Sequence, residues 1–199
     1  MVRAVVKHQY LEKDVNTIWD EHDVNHGIFE SLWLQGRIPI PQGAHVLELG
    51  SAEADWLTPM KRIRPDLHLT GTDQRVIPPR PGADALVTGN LLASGLFPSH
   101  AFDVIVACSV IGHVGVGRYG DPLDVNGDVK AMVNCRQWLK PYGLLYLDVP
   151  YRGTGASTPF RAYNDVDVRY LTSGWHEVDR QVVPSSHPDG PYLALVLRS

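Results

Sequence analysis

Five short apolar runs constrain this chain more than any other feature. They are AHVLEL (Ala44–Leu49), LHLTGTD (Leu67–Asp73), ALVT (Ala85–Thr88), FDVIVA (Phe102–Ala107) and LLYLDV (Leu144–Val149). Their length and density suit buried strands. Between them lie stretches that read as helical, at Asp55–Ile63 and from Gly127 to Leu139, the second ended by Pro141 and Gly143. Strands alternating with helices predict a mostly parallel sheet with helices on both faces. Two further runs, Trp175–Val183 and Tyr192–Leu197, flank PSSHPDGP and predict a closing antiparallel hairpin. The expected architecture is therefore a single α/β domain over residues 44–199 with a mixed sheet.

Residues 1–43 precede that domain. Ile18, Val24, Ile28, Leu32 and Trp33 give a rough helical stripe over Thr17–Leu34, which Gly36 and the run IPIP end. Tyr10, Trp19, His22, His26 and Phe29 make the segment rich in large rings. It reads either as a helix covering the sheet or as a lid over a substrate.

At 199 residues and 44% hydrophobic content the chain can bury one core without staples. The net charge of −4 and the absence of basic runs argue against a nucleic-acid partner. The N-terminus has no long apolar run, so neither a signal peptide nor a membrane span is expected. Cys108 and Cys135, the two cysteines, have no metal-type spacing. They read as buried thiols of a cytoplasmic protein.

Chemistry concentrates after the fourth run. Between Cys108 and Tyr151 a glycine-rich loop carries His113, Arg118, Tyr119, Asp121, Asp124 and Asp128. Loops at the carboxyl ends of strands are where α/β sheets bind ligands. A histidine can take a proton from a hydroxyl near neutral pH, so His113 suits a general base, or else bonds the loop backbone. Tyr119 and Arg118 suit a substrate oxygen or phosphate. Asp121, Asp124 and Asp128 suit a divalent metal or sugar hydroxyls, and equally suit turn and helix capping, with Asn126 a second candidate cap. Asp148, Tyr151, Arg161, Tyr163 and Asn164 stand near the same rim. Earlier in the chain, Gly50 allows a tight turn after the first strand, beside Glu48. Asp73 ends the second strand, placed to accept both hydroxyls of a ribose. Asn90 and Leu91 follow the third, where they suit an adenine edge and face, or a plain Asn turn.

VLELGSAEA, TGTD and FDVIVACSVIGHV, followed by LKPYGLLYLDVP, resemble a class I S-adenosylmethionine-dependent methyltransferase, with its Rossmann-like fold. More narrowly, HVGVGRYGDPLDVNGDVKAM resembles the DUF268 family, and more loosely the sugar O-methyltransferases. The resemblance implies a cofactor set of Glu48, Gly50, Ser51, Asp73, Gln74, Asn90, Leu91, Cys108 and Ser109, with S-adenosylmethionine as cofactor. It implies His113 as general base, aided by Tyr119 and Asp121. The chain departs from the family where Ala52 and Ala54 replace glycines of the first motif, Gly112 replaces a glutamate, and Tyr142 replaces a glycine.

The expected reaction is methyl transfer to a hydroxyl of a small polar acceptor, a sugar or oligosaccharide, with His113 taking the proton. Mg2+ at Asp121, Asp124 and Asp128 is an expected helper, and a homodimer an open option. Two rivals stand beside it: an N- or carboxyl-methyltransferase, which needs little from a base, and a non-catalytic methyltransferase-like partner subunit.

Overall fold

The computed structural model describes residues 24–152, 160–184 and 190–199. Among these residues seven strands form one sheet in the order β3-β2-β1-β4-β5-β7-β6. They are β1 (His45–Leu49), β2 (His68–Asp73), β3 (Ala85–Thr88), β4 (Phe102–Cys108), β5 (Leu139–Pro150), β6 (His176–Val183) and β7 (Tyr192–Arg198). β1 to β5 pair in parallel, and β7 lies antiparallel between β5 and β6. The closing hairpin is thus present, and its second strand is the inner one. β7 reads LALVL and buries both faces, whereas β6 is largely exposed and takes the edge.

Helices cover both faces. On one side α1 (Val24–Leu34) and α2 (Leu57–Ile63) pack Ile28, Phe29, Leu32, Leu57 and Met60 against Val46, Leu69, Val104, Val106, Tyr146 and Val196. On the other, α3 (Gly127–Trp138) and α4 (Asp165–Leu171) pack Met132, Cys135, Trp138, Val168 and Leu171 against Leu47, Ile105, Leu145, Leu147 and Leu195. Burial of Cys135 pushes its thiol up to about 12. Val133 of α3 is 61% exposed, because the helix seats Ala131, Met132, Cys135 and Trp138 against the sheet. No described helix is long and apolar enough to cross a membrane. The part of the predicted first helix before residue 24, with Tyr10, Trp19 and His22, lies outside the described residues.

α3 ends at Trp138, within one residue of the expected stop, and the sequence Lys-Pro-Tyr-Gly that follows forms a bulge within β5. Phe102 pairs with Leu139 and Val104 with Leu144, an advance of five residues on β5 against two on β4. Tyr142 sits there at φ +65°, its side chain exposed.

The chain runs outward from β1 to β3 and then crosses back to lay β4 on the other side of β1. That reversal opens a crevice at the carboxyl ends of β1 and β4, where open α/β sheets bind ligands.

Candidate active site

A cavity of about 740 Å3 occupies this crevice. Gly50 forms its floor at φ +83°, its N–H bonded to the Thr72 carbonyl at 2.8 Å. A Cβ at Gly50 would stand 2.5 Å from Val110 Cγ2, so the turn has room for glycine alone. Ser51 Oγ donates to Glu48 Oε2 at 2.7 Å, and both side chains are buried beneath the turn. Glu48 and Ser51 therefore support the floor, and neither lines the cavity. This departs from the expectation that both contact a cofactor: a buried carboxylate needs a partner, and Ser51 supplies one.

Asp73 closes β2 at the cavity wall, and only 5% of its side chain is exposed. Burial opposes its ionisation. Arg75's side-chain and backbone hydrogen bonds, the Ala52 N–H and Arg75's charge outweigh that, so its carboxyl is held below the ordinary range. Gln74, Asn90, Leu91, Cys108 and Ser109 also line the cavity. Asn90 Oδ1 accepts from Leu92 N at 2.9 Å, an Asx turn that presents the segment. Ser109 follows β4 in the left-handed region at φ +54°, its N–H donating to the fully buried Asp148 at 3.0 Å. Tyr146 Oη donates to the other Asp148 oxygen at 2.9 Å. Asp148 thus holds the strand end from below and does not face the rim as expected.

His113, Tyr119 and Asp121 come together on the loop side of the cavity. His113 is half-buried at the end of a single 3-10 turn, Ile111–His113, with its ring edge-to-face on Tyr119 at 5.8 Å and on Phe160 at 6.1 Å. Burial, then the charge of Glu53, raise the Tyr119 phenol, so it stays protonated at neutral pH. Asp121 folds the loop: its Oδ2 accepts from Gly115 N at 2.5 Å and Gly117 N at 3.3 Å, and its Oδ1 from Tyr119 N at 3.4 Å. Burial works against its charge, and these backbone donors still lower its pKa.

The expected metal triad does not assemble. Asp121 binds loop amides, Asp124 takes Lys130 Nζ at 2.5 Å, and Asp128 accepts from Tyr163 Oη at 2.8 Å. Among the described residues no three His, Cys, Asp or Glu side chains are grouped to hold a metal ion. Asp124 and Asp128 lie off the cavity. α3 has no side-chain cap from Asn126. Arg161 and Tyr163 also have structural duties. Arg161 donates to the carbonyls of Val114, Asp124 and Val125, clamping the loop from behind, and Asn164 caps α4 in a reciprocal box with Asp167. Tyr151 turns away to Asp165.

Among the cavity residues that escaped the sequence reading are Trp56, Arg75 and Val110. Only Arg75 carried a usable signal, a cation two positions beyond the strand-ending Asp73.

The family model described as Caenorhabditis protein of unknown function, DUF268, matches residues 97–185. No curated protein matches the chain. Among solved structures, the chain is similar to the Burkholderia thailandensis 1,6-didemethyltoxoflavin-N1-methyltransferase with bound 1,6-didemethyltoxoflavin and S-adenosylhomocysteine. The TM-score is 0.65 at 18% identity, covering 94% of this chain and 81% of that one. It is similar to the N-methyltransferase NodS from Bradyrhizobium japonicum WM9 in complex with S-adenosylhomocysteine, at TM-score 0.64, 18% identity and coverage of 90% and 89%. It also matches the [4+2]-cyclase SpnF at TM-score 0.62, 13% identity and coverage of 91% and 85%. A cyclase among such neighbours shows that this architecture alone does not assign a reaction. The chain has the α/β, Rossmann-like fold of class I S-adenosylmethionine-dependent methyltransferases.

Proposed function

We propose that the chain is an S-adenosylmethionine-dependent methyltransferase acting on a small molecule, with a nitrogen acceptor favoured. One observation carries the reading: the Gly50 turn and the Asp73 carboxylate meet across a switch-point cavity that continues to His113. The residues present fit the cofactor. Gly50 leaves backbone room, Asp73 ends β2 on the cavity wall where a ribose would lie, and Asn90 and Leu91 flank the place of an adenine. Nitrogen is favoured because two of the similar solved structures are N-methyltransferases.

When bound, the cofactor supplies an electrophilic methyl group on a positively charged sulfur. The chain's task is then alignment. Ser109, Val110 and His113 form the wall beyond the β4 end, where an acceptor atom can be held in line. A neutral amine attacks with its own lone pair, and the proton it then sheds passes to water or to His113. Trp56 closes the same cavity and meets Phe29 of α1 edge-to-face at 5.3 Å. That contact supports the reading of residues 1–43 as a cover.

A hydroxyl acceptor, including a sugar, is the second reading, and His113 within the cavity favours it, because a hydroxyl must lose its proton as the new bond forms. Calorimetric titration with S-adenosylhomocysteine, beside Asp73→Ala, tests the cofactor. Micromolar binding, weakened at least about tenfold in the variant, is expected. A folded chain that binds none refutes the reading and favours a partner subunit. An acceptor screen with His113→Ala then separates the chemistries: a loss of about 100-fold or more marks a hydroxyl, and a small loss marks nitrogen.

A further inference from the structure

The Asp73 carboxylate is fully subscribed. Its Oδ1 accepts from Arg75 N at 2.9 Å and Arg75 Nε at 3.0 Å. Its Oδ2 accepts from Ala52 N at 3.2 Å and Arg75 Nη2 at 3.0 Å. A carboxylate has about four lone-pair sites, so these four donors leave none for a ribose. Two of them are backbone amides fixed by the turn. The other two belong to one guanidinium on a flexible stem, one bond to each oxygen.

We propose that Arg75 is an internal occupant of the ribose site, displaced bond for bond by the two ribose hydroxyls. The inference rests on the cofactor reading and adds to it a residue that sets affinity. Arg75 has somewhere to go. Its Nη1 already donates to Glu53 Oε1 at 2.9 Å, and its guanidinium lies over the Tyr119 ring at 4.1 Å. Glu53 is exposed, so it can swing outward with the arginine still bound. Tyr119 belongs to the loop that Asp121 folds, and its ring touches His113. Release of Arg75 from Asp73 therefore reaches the catalytic side of the cavity through the Tyr119 ring.

The test is calorimetric titration of the full chain with S-adenosylhomocysteine, comparing wild type, Arg75→Gln and Arg75→Lys, each checked for folding by circular dichroism. Removing a partly buried guanidinium that competes with the ligand for Asp73 should tighten binding by about fivefold in Arg75→Gln. Arg75→Lys, which keeps the charge and loses the fork, should fall between. Displacement titrations with adenosine and 2′,3′-dideoxyadenosine isolate the exchange. The gain should appear for adenosine and vanish for the dideoxy compound, which has no hydroxyls to place on Asp73. Equal or weaker binding by Arg75→Gln overturns the proposal, as does an equal gain for both nucleosides. Absence of S-adenosylhomocysteine binding in both wild type and variant removes the cofactor reading, and this inference with it.

Discussion

Glycine-to-alanine substitution should have opposite signs in two helices of this protein. Gly27 lies within α1, and a Cβ built there meets nothing among the described residues within 4 Å. Alanine is the better helix former by about 0.8–1.0 kcal/mol, so Gly27→Ala should stabilise by about 0.5–1 kcal/mol. Gly127 opens α3, where the same preference applies, but its Cβ would lie 2.7 Å from the Val114 carbonyl oxygen and 2.9 Å from Gly115 Cα. Both are backbone atoms and cannot rotate aside. The reverse contact is also tight: a Cβ on Gly115, at φ +79°, would stand 3.1 Å from Gly127 Cα and 2.5 Å from the Asp124 carbonyl oxygen. The loop and the helix start thus touch through two glycines, stitched by Asp124 N to Gly115 O at 2.9 Å and Gly127 N to Asp124 O at 3.0 Å. Forcing them apart costs about 1–3 kcal/mol, more than the helical preference returns. Gly127→Ala should therefore lower stability by about 1–2 kcal/mol, read as a lower urea midpoint at unchanged m-value. Because Val114 lines the cavity, S-adenosylhomocysteine should bind more weakly as well. A Gly127→Ala protein stabilised like Gly27→Ala would show that the glycine contact does not hold the loop.

Tyr142→Gly should stabilise by a few tenths to about 1 kcal/mol in urea denaturation, because an exposed tyrosine at φ +65° bears the left-handed penalty that glycine escapes. Tyr163→Phe should destabilise by about 1–3 kcal/mol, since it strips the buried Asp128 of a 2.8 Å hydrogen bond, and an unchanged midpoint would refute the role. Acid should unfold the protein progressively below about pH 4. Arg64's hydrogen bonds lower the Asp66 carboxyl and Arg37's lower that of Asp179, so their stabilisation is full above the unfolded carboxylate pKa of about 3.9. It disappears as pH falls through the folded values, and Asp66→Asn should flatten the urea midpoint against pH in that window.

The strands were legible because burial on both faces leaves unbroken apolar runs, as in Val104–Ala107 and Leu145–Leu147. The floor of the site was legible in part for the same local reason. A glycine after β1 and an acid ending β2 are fixed by their own strand ends, and the structure places Gly50 and Asp73 on the cavity. The three loop aspartates looked alike in sequence, yet Asp121 bonds amides of its own loop and Asp124 bonds Lys130 six residues on, whereas Asp128 finds its partner far along the chain. Asp128 meets Tyr163 35 residues on, and Arg161 reaches back 37 residues to the Asp124 carbonyl. Glu48 looked like a ligand contact until the turn folded Ser51 over it.

By itself, then, the sequence determined which segments are strands and which strand ends form the floor, since propensity and burial pattern are properties of short stretches. Only the tertiary structure decided that β7 enters between β5 and β6, that Arg75 occupies Asp73, and that Asp124 and Asp128 bind protein groups off the cavity. Those outcomes depend on which polar groups are brought within about 3 Å of one another, a distance that chain connectivity does not encode.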